Sequence, residues 1–234
     1  PDVSRIAKGK SIANLLRLQP GETIASILSI KEFEEGKFVM VATERGIVKK
    51  TSLMAYSKPR QGGIIGLTID DGDRVIGAEL CDGESEILLA TQKGFSIRFP
   101  EQEVRPIGRT GRGVRGIRLK DSDYVVGAEI VKPGNKLLTV TSKGYGKRTL
   151  MEEYPIQGRG GLGVMTIRCN EKIGSVVGVQ QVDEEDQLLV ITSDGNIVRM
   201  RVNEISLIGR NTQGVRLVGV REGNQVVSIE KLVE

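Results

Sequence analysis

Basic side chains recur along this 234-residue sequence at nearly fixed intervals, and a regular set of cations is chemistry suited to a polyanion with regular charge. Four residues beyond the glycine of each of four X-Gly turns stand Lys50, Arg98, Arg148 and Arg199. A second set gathers around five glycine-centred stretches: Lys8 and Lys10, then Arg60, then Arg109, Arg112 and Arg115, then Arg159, and finally Arg210 and Arg216. The glycines among them leave backbone N–H groups open to close approach by an anion.

Other chemistries find little support. Histidine is absent, which removes the ordinary general base at neutral pH, and Cys81 and Cys169 have neither metal-ligand spacing nor neighbours that would activate a thiolate. Asp70-Asp71-Gly72-Asp73 lacks the alternation and distal Glu of a calcium loop and reads as an Asx-rich turn. Glu184-Glu185-Asp186 reads as a solvated turn. Residues Gly158 to Gly163 spell G-x-G-x-x-G, yet the strand-like Val164-Met165-Thr166-Ile167 follows where a dinucleotide site needs a helix. Tyr56 and Tyr154 hold matching positions ahead of their glycine stretches, which suits packing. Neither self-contained catalysis, nor a cofactor, nor a metal site is therefore expected.

The elements that must position the cations follow from the repeat. The marker glycines are 9, 63, 113, 163 and 214, at spacings of 54, 50, 50 and 51. Such a period suits propeller-type blades, small antiparallel sheets that must pack on neighbours to bury their faces. Each hairpin follows an apolar run and ends in a glycine able to take the positive φ of a tight turn, at Gly46, Gly94, Gly144 and Gly195. A third strand closes each unit, as in Val75-Ile76-Gly77-Ala78, Val125-Val126-Gly127-Ala128 and Val176-Val177-Gly178-Val179. The expected fold is all-β: one propeller-like domain over residues 1–234, built of four-stranded blades of about 50 residues. Cut at the turn glycines, it comprises a partial blade at 1–45 and blades at about 46–92, 93–142, 143–194 and 195–234. The chain enters in mid-repeat and lacks an initiating methionine, so it reads as a fragment whose first hairpin lies upstream.

Net charge is +4, but the register separates it. Segments running from each turn through the following marker strand (1–18, 46–69, 93–119, 143–168 and 195–221) hold 25 Lys and Arg against 6 Asp and Glu; the remainder holds 9 against 24. Because stacked repeats turn the same face outward, a basic position in every period becomes a basic track. Duplex DNA fits such a track through counterion release with little sequence preference. Aromatics make up 3% of the chain, with no Trp, which disfavours single-strand binding by base stacking. The hairpin set Lys50, Arg98, Arg148 and Arg199 is expected on the exposed rim, where replacement by Ala would weaken duplex binding and leave the fold intact.

The markers, the run Gly144-Tyr145-Gly146-Lys147-Arg148-Thr149, Glu153-Tyr154 and the closing Gly209-Arg210-Asn211-Thr212-Gln213-Gly214-Val215-Arg216 resemble the C-terminal domain of the bacterial DNA gyrase A subunit. The resemblance spans essentially the whole chain. It implies a β-pinwheel whose blades exchange strands, and a basic rim that wraps duplex DNA and gives handedness to ATP-dependent negative supercoiling. It also implies a non-catalytic part of a topoisomerase, with ATP and Mg2+ used elsewhere, and as partners the remainder of the gyrase A subunit and the gyrase B subunit in an A2B2 holoenzyme. A bacterial cytoplasmic, nucleoid-associated location follows, in keeping with the lack of a membrane-length apolar run or signal-peptide core. That family's signature box, Gln-Arg-Arg-Gly-Gly-Lys-Gly, normally lies in the first blade. Gln157 to Gly163 agrees with it at five of seven positions but belongs to the fourth marker, with Gly158 and Leu162 departing. Two alternatives stand beside this reading. One is the equivalent domain of the topoisomerase IV A subunit, usually with more degenerate boxes; the other is a propeller-type protein-interaction scaffold.

Overall fold

A computed structural model describes Leu18, residues 21–60 and residues 63–232; Lys8, Lys10 and the first marker glycine lie outside the described residues. The first described repeat supplies β1 (Phe38–Thr43), β2 (Ile47–Ser52) and β3 (Val75–Cys81). The second supplies β4 (Glu86–Thr91), β5 (Phe95–Pro100), β6 (Val114–Arg115) and β7 (Val125–Ile130). From the third come β8 (Lys136–Thr141), β9 (Tyr145–Leu150), β10 (Val164–Met165) and β11 (Val176–Val182). The last contributes β12 (Gln187–Thr192), β13 (Ile197–Arg201), β14 (Val215–Arg216) and β15 (Val226–Leu232). A single 3-10 turn follows each hairpin. Among the described residues no helix is long and apolar enough to cross a membrane.

The strands form antiparallel sheets in the orders β3-β1-β2-β6, β10-β5-β4-β7 and β11-β8-β9-β14, with β13-β12-β15 as a three-stranded fourth. Each hairpin stays within one sheet, so the sheets are not delimited at the turn glycines where the sequence register divided them. Instead the short marker strand crosses to the sheet of the preceding repeat: β6 joins β2, β10 joins β5 and β14 joins β9.

The leading hairpin strands explain why the sheets stack. Ile87 and Leu89 join the core between the first and second sheets, whereas Leu88 and Ala90 join the core between the second and third. Leu137 and Leu138 divide in the same way between the last two interfaces. Alternation along a strand sends successive side chains to opposite faces, and both faces here meet a neighbouring sheet. A continuous apolar run such as Ile87-Leu88-Leu89-Ala90 is thereby buried, at about 1.5–3 kcal/mol for each large aliphatic side chain. The third strands β3, β7, β11 and β15 pack side by side along the series. Their first residues, together with Ile24 and Ala25, surround one cavity of about 790 Å³, which marks the centre of the disc. Opposite that centre, in three of the sheets, the marker strand is the outermost.

Candidate nucleic-acid interface

The marker loops occupy the rim because the chain must pass very close to the preceding sheet there. Gly113 and Gly214 have φ of 91° and 73°, and a Cβ on either would stand 2.6 Å from the carbonyl oxygen of Val48 or Gly146. Only glycine accepts both that conformation and that proximity. The exchanged strand is then fastened to the turn glycine of the sheet it joins: Gly116, Thr166 and Leu217 donate their amides to the carbonyls of Gly46, Gly94 and Gly144 at 2.7, 2.7 and 2.8 Å.

Arginines tie each marker loop to the one before it. Arg109 donates to the carbonyl of Ile65 at 3.0 Å, Arg159 to that of Arg115 at 2.5 Å and Arg210 to that of Met165 at 2.9 Å. All three donors stand four residues before a marker glycine, and all three acceptors two residues after the previous one. Backbone bonds run beside them, from Gly160 to Gly116 at 2.7 Å, Arg118 to Gly161 at 2.8 Å and Arg168 to Thr212 at 2.8 Å. The rim is a chain of interlocked loops.

Three of the four hairpin cations are not on the exposed rim that the register suggested. Lys50 and Arg148 are buried, at 3% and 5% exposure. Lys50 donates to the carbonyl of Glu101 at 2.9 Å and faces its carboxylate at 3.9 Å. Arg98 pairs with Glu86 and donates to the carbonyls of Met151 at 2.8 Å and Tyr154 at 3.2 Å. Arg148 pairs with Glu184 at 2.5 Å and donates to the carbonyl of Ile205 at 2.7 Å. Each therefore clamps the 3-10 turn of the next repeat. Arg199 occupies the same register in the last repeat; it is exposed and donates to Gln187 at 2.5 Å. Lys50, Arg98 and Arg148 are joint residues between sheets, because the second hairpin strand turns this position toward the neighbouring turn rather than toward solvent.

The remaining predicted cations meet solvent to differing degrees. Arg60, Arg112, Arg115 and Arg216 are exposed, and Arg109, Arg159 and Arg210 are half-buried in their loop bonds. Arg112 forms a surface ion pair with Asp70 at 3.1 Å. Arg118 and Arg168, five residues beyond Gly113 and Gly163, are also exposed on the rim and were missed by reading only around the markers. Their common register was the available signal. Lys93 and Lys143, just before their turn glycines, are exposed as well, with ammonium groups bonded to the carbonyls of Asp121 and Glu171. Tyr154 is 1% exposed in the core, consistent with packing, and burial is the main cause pushing its hydroxyl upward.

Four small sheets stacked around one cavity, their outer loops interlocked and studded with arginine, define a propeller-like disc with a cationic edge. The sequence matches the family model of the DNA gyrase C-terminal domain, a beta-propeller, over residues 1–31, 37–82, 85–132, 135–183 and 186–232. The chain belongs to that family. It is 47% identical over 234 residues to the DNA gyrase A subunit of Salmonella typhimurium, covering 100% of this chain and 27% of that protein. It is 44% identical to the Escherichia coli K12 counterpart, with the same coverage, and 46% identical to that of Chlamydia pneumoniae over 99% of this chain and 28% of that protein. The chain thus spans roughly a quarter of the length of these relatives. Among solved structures, the C-terminal domain of DNA topoisomerase IV superposes with a TM-score of 0.91 at 27% identity, covering 99% of this chain and 73% of that one. The DNA gyrase A C-terminal domain gives 0.86 at 26% identity, covering 97% and 76%.

Proposed function

We propose that this chain binds duplex DNA along its rim without sequence preference and bends or wraps it. In a gyrase-type A2B2 assembly, together with the remainder of the A subunit and with the B subunit, it would present the wrapped segment with fixed handedness, so that ATP-driven strand passage introduces negative supercoils. The chain itself performs no bond chemistry in this reading, and ATP and Mg2+ act elsewhere in the assembly. The observation that carries the proposal is the row of exposed Arg112, Arg115, Arg118, Arg168 and Arg216 on consecutive outer loops of one interlocked frame. Cations held at repeated positions on a curved edge gain affinity by releasing counterions, and bending is favoured because it brings further phosphates to further loops.

The test is a salt titration of binding to a random-sequence duplex, with end-to-end energy transfer in the same sample. A steep fall of log K with log salt, with approach of the ends, is expected. Arg115→Ala and Arg216→Ala should each reduce the slope by about 0.9 with the fold unchanged. A flat salt dependence would remove the DNA reading and favour a protein-interaction scaffold. The superposition on the topoisomerase IV domain supports a second reading, in which the chain is the C-terminal DNA-binding domain of a topoisomerase IV A subunit. Steep salt dependence without approach of the ends would mean that the chain binds DNA but does not wrap it by itself.

A further inference from the structure

Two lysines that the rim does not use point inward. Lys49 and Lys147 stand one residue before Lys50 and Arg148, and are 1% and 0% exposed. The Lys147 ammonium donates to the carbonyls of Gly209 and Arg210 and to Thr212 Oγ1 at 3.1 Å. That of Lys49 donates to the carbonyl of Gly66 at 2.6 Å and to that of Arg109. The Lys147 ammonium thus reaches from its sheet into the marker loop of the next repeat, and that of Lys49 bridges the marker loop of its own repeat and that of the next. One loop carries Arg109 and Arg112; the other carries Arg210 and leads to Arg216. Between them the same register holds Ile97, fully buried, and a Cβ on Gly161 would meet its side chain at 3.5 Å. The loop at 157–163 is therefore seated on carbon.

We propose that Lys49 and Lys147 are positioning residues of the DNA-binding rim: the Lys147 ammonium gathers the carbonyls of one marker loop, that of Lys49 ties the loop after Gly63 to the loop before Gly113, and each so turns the bound loop's arginines outward. The inference rests on the duplex-DNA reading above. Lysine offers three donors and no acceptor, so a loop folded around it must point its carbonyls inward, and charge-assisted bonds of this kind are the strong ones. Such loop order is also linked to a proton. Burial, with the Arg109 guanidinium adding to it, lowers Lys49 to about 8; burial is also the main cause lowering Lys147 to about 8, where Glu153 opposes the shift and Arg210 adds to it. Because each pKa is lower with the lysine buried than with it exposed, the ordered loop gains over an opened one as pH rises through about 8.

The experiment compares the full chain with Lys147→Met, and with Lys147→Gln, which keeps a neutral donor should the Met variant fold poorly. Amide hydrogen exchange is followed in 109–113, 157–163 and 209–214, together with affinity for a random-sequence duplex at about pH 7. Lys147→Met should speed exchange in 209–214 and leave 157–163 unchanged. It should weaken duplex binding about tenfold, the scale of one charge-assisted hydrogen bond. Arg118→Ala serves as contrast, with weaker binding and unchanged exchange. Unchanged exchange in 209–214, or native affinity with a slackened loop, would overturn the positioning role. Absence of salt-dependent binding by the unaltered chain would instead sink the DNA reading, and the exchange pattern alone would then decide whether the ammonium orders the loop.

Discussion

Arg148 shows how a cation can be regular in sequence without serving the surface. Its guanidinium is buried, bonds the carbonyl of Ile205 and pairs with Glu184, which also pairs with Lys136 at 3.0 Å. Truncation would leave those acceptors without a donor inside a sheet joint. Arg148→Ala is therefore expected to destabilise the chain by about 2 kcal/mol in chemical denaturation, the scale of leaving a buried acceptor, the Ile205 carbonyl, without its donor. Arg199→Ala, at the same register but exposed, should change stability by less than about 0.5 kcal/mol. Equal effects of the two would contradict the joint assignment. The sequence register was sound in identifying equivalent positions. It could not say which way they face, because a repeat specifies a common environment, and the joint between stacked units is as periodic as their outer edge.

At the scale of elements, the marker strand matters most, since its exchange links one sheet to the next. Gly214→Ala combines a φ of 73° with a Cβ placed 2.6 Å from the Gly146 carbonyl, a backbone atom that cannot swing aside. A loss of more than about 2 kcal/mol is expected, against about 1 kcal/mol for Gly134→Ala, whose φ is 82° with nothing near. Thermal unfolding of both variants measures the difference, and similar losses would mean that the close approach is unimportant. The strand alternation and the turn glycines were legible from residue types alone. The crossing was not. Val114-Arg115 and Val215-Arg216 are only two residues long and pair with strands from an earlier repeat, an arrangement that no local pattern encodes.

Across the whole molecule, the inner strands are joined by side chains as well as by apolar packing. The Glu79 carboxylate on β3 accepts the Ile130 amide of β7 at 3.1 Å, and Glu129 on β7 accepts from Gln181 of β11 at 3.1 Å. Burial, then the neighbouring Glu129 charge, pushes the Glu79 carboxyl from 4.5 up to about 7, while Ile130 and Lys132 oppose the shift. Burial also raises Glu129, against its bonds from Gln181. A raised acid favours the folded state when protonated, so its contribution is fully present below 4.5 and is lost as pH rises through about 7. Glu79→Gln should accordingly be more stable than the unaltered chain by roughly 2–3 kcal/mol near pH 8, with the gap narrowing toward about pH 5. Melting curves at the two pH values check this, and a gap that widens toward acid would refute it.

The spacing of marker glycines, the apolar runs and the segregated charge determined by themselves a repeated β architecture of about 50 residues per unit and a cationic surface band, because strand period, turn chemistry and charge register are local properties of the chain. Only the tertiary structure decided which cations that surface includes. Lys49, Lys50, Arg98, Lys147 and Arg148 face carbonyls and carboxylates of the next repeat, whereas Arg112, Arg115, Arg118, Arg168 and Arg216 are exposed on the outer loops. Both groups obey the same period. They are separated by the direction in which a twisted strand, paired with a segment from another repeat, turns each side chain, and that direction exists only once the sheets are stacked.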